Sequence, residues 1–205
     1  MKINNLFKRF GTKVIFNGES FNFENGKVTY ILGESGIGKT TLLRIIAGLD
    51  SDFSGDFYEK SDRISYVFQE PRLFPHLSVE ENIKIATASS PHSVEENINI
   101  TTESSSYSVE KILKIVELEN EAKALPASLS GGMKMRVALA RALYYNSDLI
   151  LMDEPFGALD EDLKARILPN VFEMLKDKTV IIVSHNLEEA NKYAHKIINF
   201  NTDLK

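Results

Sequence analysis

The sequence predicts an α/β protein built on a parallel sheet whose strand ends carry chemistry, and three observations predict it. First, the runs from Lys27 to Leu32, Asp148 to Met152 and Thr179 to Val183 are almost continuously apolar. That pattern marks strands covered on both faces, as in a parallel sheet flanked by helices. Second, helical patterns separate these runs. Third, each run ends at reactive side chains: a glycine-rich loop from Gly33, the pair Asp153 and Glu154, and Ser184-His185. Ligands of parallel sheets collect at the carboxyl ends of the strands.

The elements follow in order. The first thirty or so residues, and Gly55 to Phe68, alternate apolar with polar residues and carry turn formers, which predicts an antiparallel β layer. Thr40 to Ala47 reads as a helix stopped by Gly48. After Pro75, the segment Ser78 to Ser90 recurs as Ser93 to Ser105, with differences only at Lys84/Asn99, Ala86/Thr101 and Ala88/Glu103. Each copy opens with a Ser-x-x-Glu capping box. Two copies of fifteen residues are too few for a solenoid, so the repeat reads as a tandem duplication of a short polar helix or loop. A specialised docking surface is the alternative. Ser130 then caps a helix whose Met133, Val137, Ala140 and Tyr144 share one face. The expected organisation is one domain over 1–205, with the antiparallel layer at about 1–30 and 53–68. A helical part is expected at about 76–128 and the α/β core in the remainder.

Composition narrows the classes. The chain has 205 residues, 43% of them hydrophobic, enough for one sizeable core. Its longest apolar runs fall far short of the ~20 residues that cross a bilayer. The N-terminus shows no apolar signal core. Zero cysteines excludes thiolate metal sites and fits a reducing compartment. A net charge of −5 argues against a nucleic-acid groove.

The loop Gly33-Glu34-Ser35-Gly36-Ile37-Gly38-Lys39-Thr40 matches G-x-x-x-x-G-K-[ST] in full. Its glycines let backbone N–H groups close around phosphates at the positive end of the following helix, so 33–41, Thr41 included, is the expected phosphate site. Lys39 supplies a cation to the β- and γ-phosphates, and the Thr40 hydroxyl is a Mg²⁺ ligand. Two carboxylates at a buried strand end need partners. Because strand side chains alternate, Asp153 is assigned to Mg²⁺ and Glu154 to the attacking water. Of the four histidines, at 76, 92, 185 and 195, only His185 follows a buried strand on this edge. It is the expected partner of the γ-phosphate or the water; His76, His92 and His195 read as structural. Gln69, at a strand end before Glu70-Pro71, suits a Mg²⁺ or water contact.

Leu129-Ser130-Gly131-Gly132, lying between the phosphate loop and the acidic strand end, makes the chain resemble the ATP-hydrolysing subunit of an ABC transporter, from about Phe10 to about Ala194. The resemblance implies a RecA-like P-loop NTPase core with antiparallel β and α-helical subdomains. It implies ATP and Mg²⁺ as ligands, with Ser130, Gly131 and Gly132 facing the γ-phosphate on a second copy, two ATP molecules being sandwiched in a head-to-tail dimer. Phe10 sits where the family places an aromatic that stacks on adenine; a core aromatic and turn is the alternative. Gln69 falls in a segment similar to the family's Q-loop, which touches the membrane partner. Ser184-His185 is similar to its switch histidine, and Gly157-Ala158-Leu159-Asp160 to its D-loop. The departure is Met133, where a glutamine is usual. The segment Tyr66 to Ile83 looks most like importer subunits. The implied setting is a cytoplasmic homodimer, peripheral on the membrane through an integral permease and served indirectly by a solute-binding protein. The rival readings are a soluble ABC ATPase acting on nucleic acid or the ribosome, and an ATP-gated dimerisation module with little turnover.

Overall fold

The computed structural model describes residues 1–59, 61–85 and 107–201. Two compact units divide them: one of the described residues within 1–69, 148–155 and 175–201, the other of those within 70–85, 107–147 and 156–174.

The first unit holds both sheets. Strands β1 (Lys2–Phe10), β2 (Lys13–Asn22) and β4 (Ser54–Tyr58) form an antiparallel sheet in the order β2-β1-β4. Strands β3 (Val28–Leu32), β5 (Ile64–Val67), β6 (Leu149–Asp153), β7 (Thr179–Val183) and β8 (Lys196–Asn199) form a parallel sheet in the order β5-β6-β7-β3-β8. All five residues of β3 and of β6 are buried, which is why they read as unbroken apolar runs. The stretch expected at 53–68 therefore splits. Its first part pairs with β1, whereas Ile64–Val67 pairs in parallel with Leu149–Met152. The N-terminal part of the antiparallel layer, expected to about residue 30, likewise ends at Asn22, and β3 belongs to the other sheet.

Helix α1 (Lys39–Ile46) packs Leu42, Leu43, Ile45 and Ile46 into the core with Phe16, Phe21, Ile31, Leu151 and Phe200. Gly48, at φ 73°, ends it in a left-handed turn that glycine takes without strain. Helix α6 (Leu187–Tyr193) is capped by the Asn186 side chain, which accepts from the Glu189 N–H. Its Glu189 carboxylate accepts from the buried Tyr30 hydroxyl of β3 at 3.0 Å.

The second unit is helical: α2 (Val79–Lys84), α3 (Val109–Ile115), α4 (Gly131–Tyr144) and α5 (Glu161–Met174). Val79, Ile83, Ile112, Leu113, Val137, Ala140 and Tyr144 form its core, with Met133 packed against it. Val137, Ala140 and Tyr144 of the expected stripe on α4 are thus buried in this core, with Met133 half buried against it. Met135, Ala138, Leu139, Ala142 and Leu143 are buried as well, and α4 belongs to this unit rather than to the α/β core. The helical part accordingly runs past the expected 76–128. The Ser78 capping box forms as expected: Glu81 N donates to Ser78 Oγ, and the Glu81 carboxylate accepts from Ser78 N at 2.7 Å. The second copy, Ser93 to Ser105, lies outside the described residues.

Candidate functional site

In the first unit the sheet delivers three groups to one edge. Strand β3 runs into the glycine loop, β6 into Asp153 and Glu154, and β7 into Ser184 and His185. Gly38 is the tightest point of the loop. At φ 117°, a Cβ there would lie 2.6 Å from the Ile15 Cγ2 of β2. Only glycine allows the backbone this turn against this neighbour. Lys39 begins α1 and is buried, and its ammonium curls back over the loop, donating to Gly33 O at 2.7 Å and Glu34 O at 2.8 Å. A cation is therefore held where the loop amides converge.

Asp153 is buried at the end of β6, and burial pushes its carboxyl above the usual range. The Thr40 hydroxyl donating to it and the Lys39 charge pull the other way. A hard carboxylate paired with a hydroxyl is the donor chemistry that Mg²⁺ takes. Glu154 turns the chain sharply, with φ 50°, and its N–H donates to Val183 O at 2.9 Å. This left-handed residue swings the Glu154 carboxylate away from that of Asp153 and toward β7, where Oε2 lies 2.9 Å from His185 Nδ1. An ionised carboxylate only accepts, so Nδ1 carries the proton in this pairing and Nε2 is left for other contacts.

An open cavity of about 370 Å³ joins these groups. Lys39, Thr40, Asp153, Glu154 and Gln69 line it, together with Phe10 at the end of β1. Phe10 is half exposed, as a ring offered to a ligand would be. The sequence reading missed two further lysines here. Lys13 lines the same cavity and donates to Gly36 O at 3.3 Å. Lys8 lies beneath Phe10, its Nζ 4.6 Å from the ring centroid. The i, i+2 spacing of Lys8 and Phe10 was the available signal for the latter. His195 is structural: its N–H donates to Val28 O and its Nδ1 accepts from Val28 N. His76 is exposed, and His92 lies outside the described residues.

The second unit carries Ser130, Gly131 and Gly132. Ser130 Oγ accepts from Met133 N at 3.2 Å, so the expected N-cap is made. Gly131 is exposed, and a Cβ there would meet nothing within 4 Å, so the first residue of α4 is uncovered among the described residues. Gly132 is packed more closely, its Cβ position 3.1 Å from Ala158 O. This seats the start of α4 on the 157–160 loop. Met133 spends its side chain on packing against the helical core rather than on a polar contact.

Comparison with known proteins agrees with this geometry. The ABC transporter family model matches residues 16–157. The aliphatic sulfonates import ATP-binding protein SsuB of Bacillus cereus is 37% identical over 97% of this chain and 80% of its own length. The sulfate/thiosulfate import ATP-binding protein CysA of Yersinia pestis is 36% identical, covering 97% of this chain and 57% of that protein. Among solved structures, the dimeric ATP-binding cassette MJ0796, in a post-hydrolysis state bound to ADP and Pi, superposes with a TM-score of 0.78. It is 29% identical, over 97% of this chain and 93% of that one. The phosphate loop, the acidic strand end and the Ser-Gly-Gly helix start lie on the P-loop fold that these relatives share, and the chain belongs to the ABC transporter family as an ATP-binding, ATP-hydrolysing subunit.

Proposed function

We propose that this ATPase powers an importer by closing two copies of itself around two ATP molecules, the pair docked on a membrane permease that is a separate subunit. The observation that carries the catalytic part is the Glu154 carboxylate, turned into the nucleotide cavity and held 2.9 Å from His185. Residues 33–41 hold the triphosphate through backbone amides, and Lys39 leaves its two carbonyls to neutralise the β- and γ-phosphates. Thr40, Asp153 and Gln69 would hold Mg²⁺, which supplies charge stabilisation to the phosphates when bound. Glu154 accepts the proton of the attacking water. His185 keeps Glu154 aimed and presents Nε2 toward the γ-phosphate side. Phe10 stacks on adenine.

The exposed Gly131 at the positive start of α4 supports a role for Ser130, Gly131 and Gly132 on the γ-phosphate of the other copy. Assignment to an importer draws on the relatives' names. Those of nearly equal identity are named for sulfonates, for sulfate or thiosulfate, and for Fe(3+) ions, so the solute is chosen outside this subunit. No helix among the described residues is long and apolar enough to cross a membrane, in keeping with attachment to the inner face through the permease.

The test is Glu154→Gln. The amide retains the shape but cannot take a proton, so ATP binding should persist while phosphate release falls by about 10²–10⁴-fold. Parent-like turnover would remove Glu154 from this role.

A further inference from the structure

Lys8 is 2% exposed, an unusual place for a lysine. Its ammonium donates to Asp50 Oδ1 at 2.8 Å, to Asp52 O at 2.6 Å and to Asp52 Oδ2 at 3.4 Å. It also lies 4.6 Å from the centroid of Phe10, two residues along the same strand and on the same face. The acceptors are themselves fixed. Asp50 Oδ1 also accepts from Asp52 N at 3.1 Å, while Leu49 N and Asp50 N donate to Arg44 O in the last turn of α1. The helix whose first residue is Lys39 of the phosphate loop therefore ends at the loop that grips Lys8.

We infer that Lys8 is a positioning residue for the nucleotide base: pinned by Asp50 and Asp52, it fixes one face of the Phe10 ring and leaves the other face for the base. The inference rests on the proposed stacking of adenine on Phe10. Two physical effects combine. The ammonium is attracted to the ring face, so an exposed phenyl group that would otherwise sample several rotamers is held in one. Asp50 ties that ring to α1, and so sets the separation between base site and phosphate site that a single nucleotide must span. A pre-set separation lowers the ordering cost of binding.

The test measures calorimetric affinity of the full chain for ATP and for inorganic tripolyphosphate, which has the phosphates and no base. Lys8→Met alone strands the Asp50 carboxylate and threatens folding. The neutralised pair Lys8→Met/Asp50→Asn is therefore made beside it, with Phe10→Ala and the triple variant. The expected result for the neutralised pair is ATP affinity lower by about threefold to tenfold. Tripolyphosphate affinity should stay at the parent value, and no further loss should appear in the Phe10→Ala background. Parent-like ATP affinity in the neutralised pair overturns the role of Lys8. So does an equal loss for tripolyphosphate, which would make the pair a general brace of the fold. If Phe10→Ala itself binds ATP as tightly as the parent, the stacking on which the inference rests fails instead, and the two failures are distinguished.

Discussion

Replacing Asn82 by alanine should destabilise the helical unit by about 3 kcal/mol. Asn82 is fully buried on α2, and its amide fastens the segment leading into that helix. Nδ2 donates to Phe74 O at 3.1 Å, Leu77 O at 2.8 Å and Ser78 O at 3.0 Å, and Oδ1 accepts from Phe74 N at 2.8 Å. In the variant, Phe74 O keeps the Leu77 N–H and Ser78 O keeps the Asn82 N–H. Phe74 N and Leu77 O lose the partner that Asn82 gave them. Each such loss costs about 1–3 kcal/mol when buried. The segment around Phe74 is exposed enough for water to compensate in part, so about 1 kcal/mol each applies. Lost packing of the amide adds roughly 1 kcal/mol more. For a chain of this size, about 3 kcal/mol moves the urea midpoint by about 1 M, at a slope of about 3 kcal/mol/M. A midpoint shift below about 0.2 M would refute the claim that Asn82 organises this entry.

Two further outcomes follow from other sites. Gly38→Ala places a Cβ against the stiff Ile15 side chain at φ 117°, so ATP affinity should fall at least about tenfold; affinity within a factor of about two, by calorimetry, would contradict the close approach. Glu80 is paired with Lys123 and Lys84, which hold its carboxyl down at about 2. A lowered carboxylate pKa adds stability above the unfolded value of 4.5, and that stability is lost as pH falls toward about 2. Glu80→Gln should therefore cost about 1 kcal/mol at pH 7 and nothing at the acid end. Urea midpoints that differ equally at pH 7 and at the lowest pH where the chain folds would refute this.

How much could be read from the sequence followed from how each element is buried. Strands β3, β6 and β7 lie inside the parallel sheet and so read as unbroken apolar runs with chemistry at their ends. Strand β5, with pattern Ile-Ser-Tyr-Val, is an edge strand of the same sheet and only half buried. Its alternation therefore imitates an antiparallel strand. Strand β8 occupies the other edge and gave no signal in the sequence. On the site side, Gly33 to Thr40, Asp153, Glu154 and His185 all come to one cavity or its rim because each ends a strand or begins a helix. Lys8 escaped notice because lysine in a strand reads as solvated, and its acceptor Asp50 lies 42 positions away. The stripe on α4 was legible as a face, but periodicity cannot say which core a face packs on.

The composite site is the central claim, and self-association of the Glu154→Gln chain tests it most directly. Sedimentation at high protein concentration, with and without ATP and Mg²⁺, reads whether Ser130-Gly131-Gly132 of one copy completes the phosphate site of another. The account predicts a monomer without nucleotide and a two-fold symmetric dimer with ATP, lost again when Ser130 is replaced by a bulky residue. A chain that binds ATP yet stays monomeric at every concentration would contradict it.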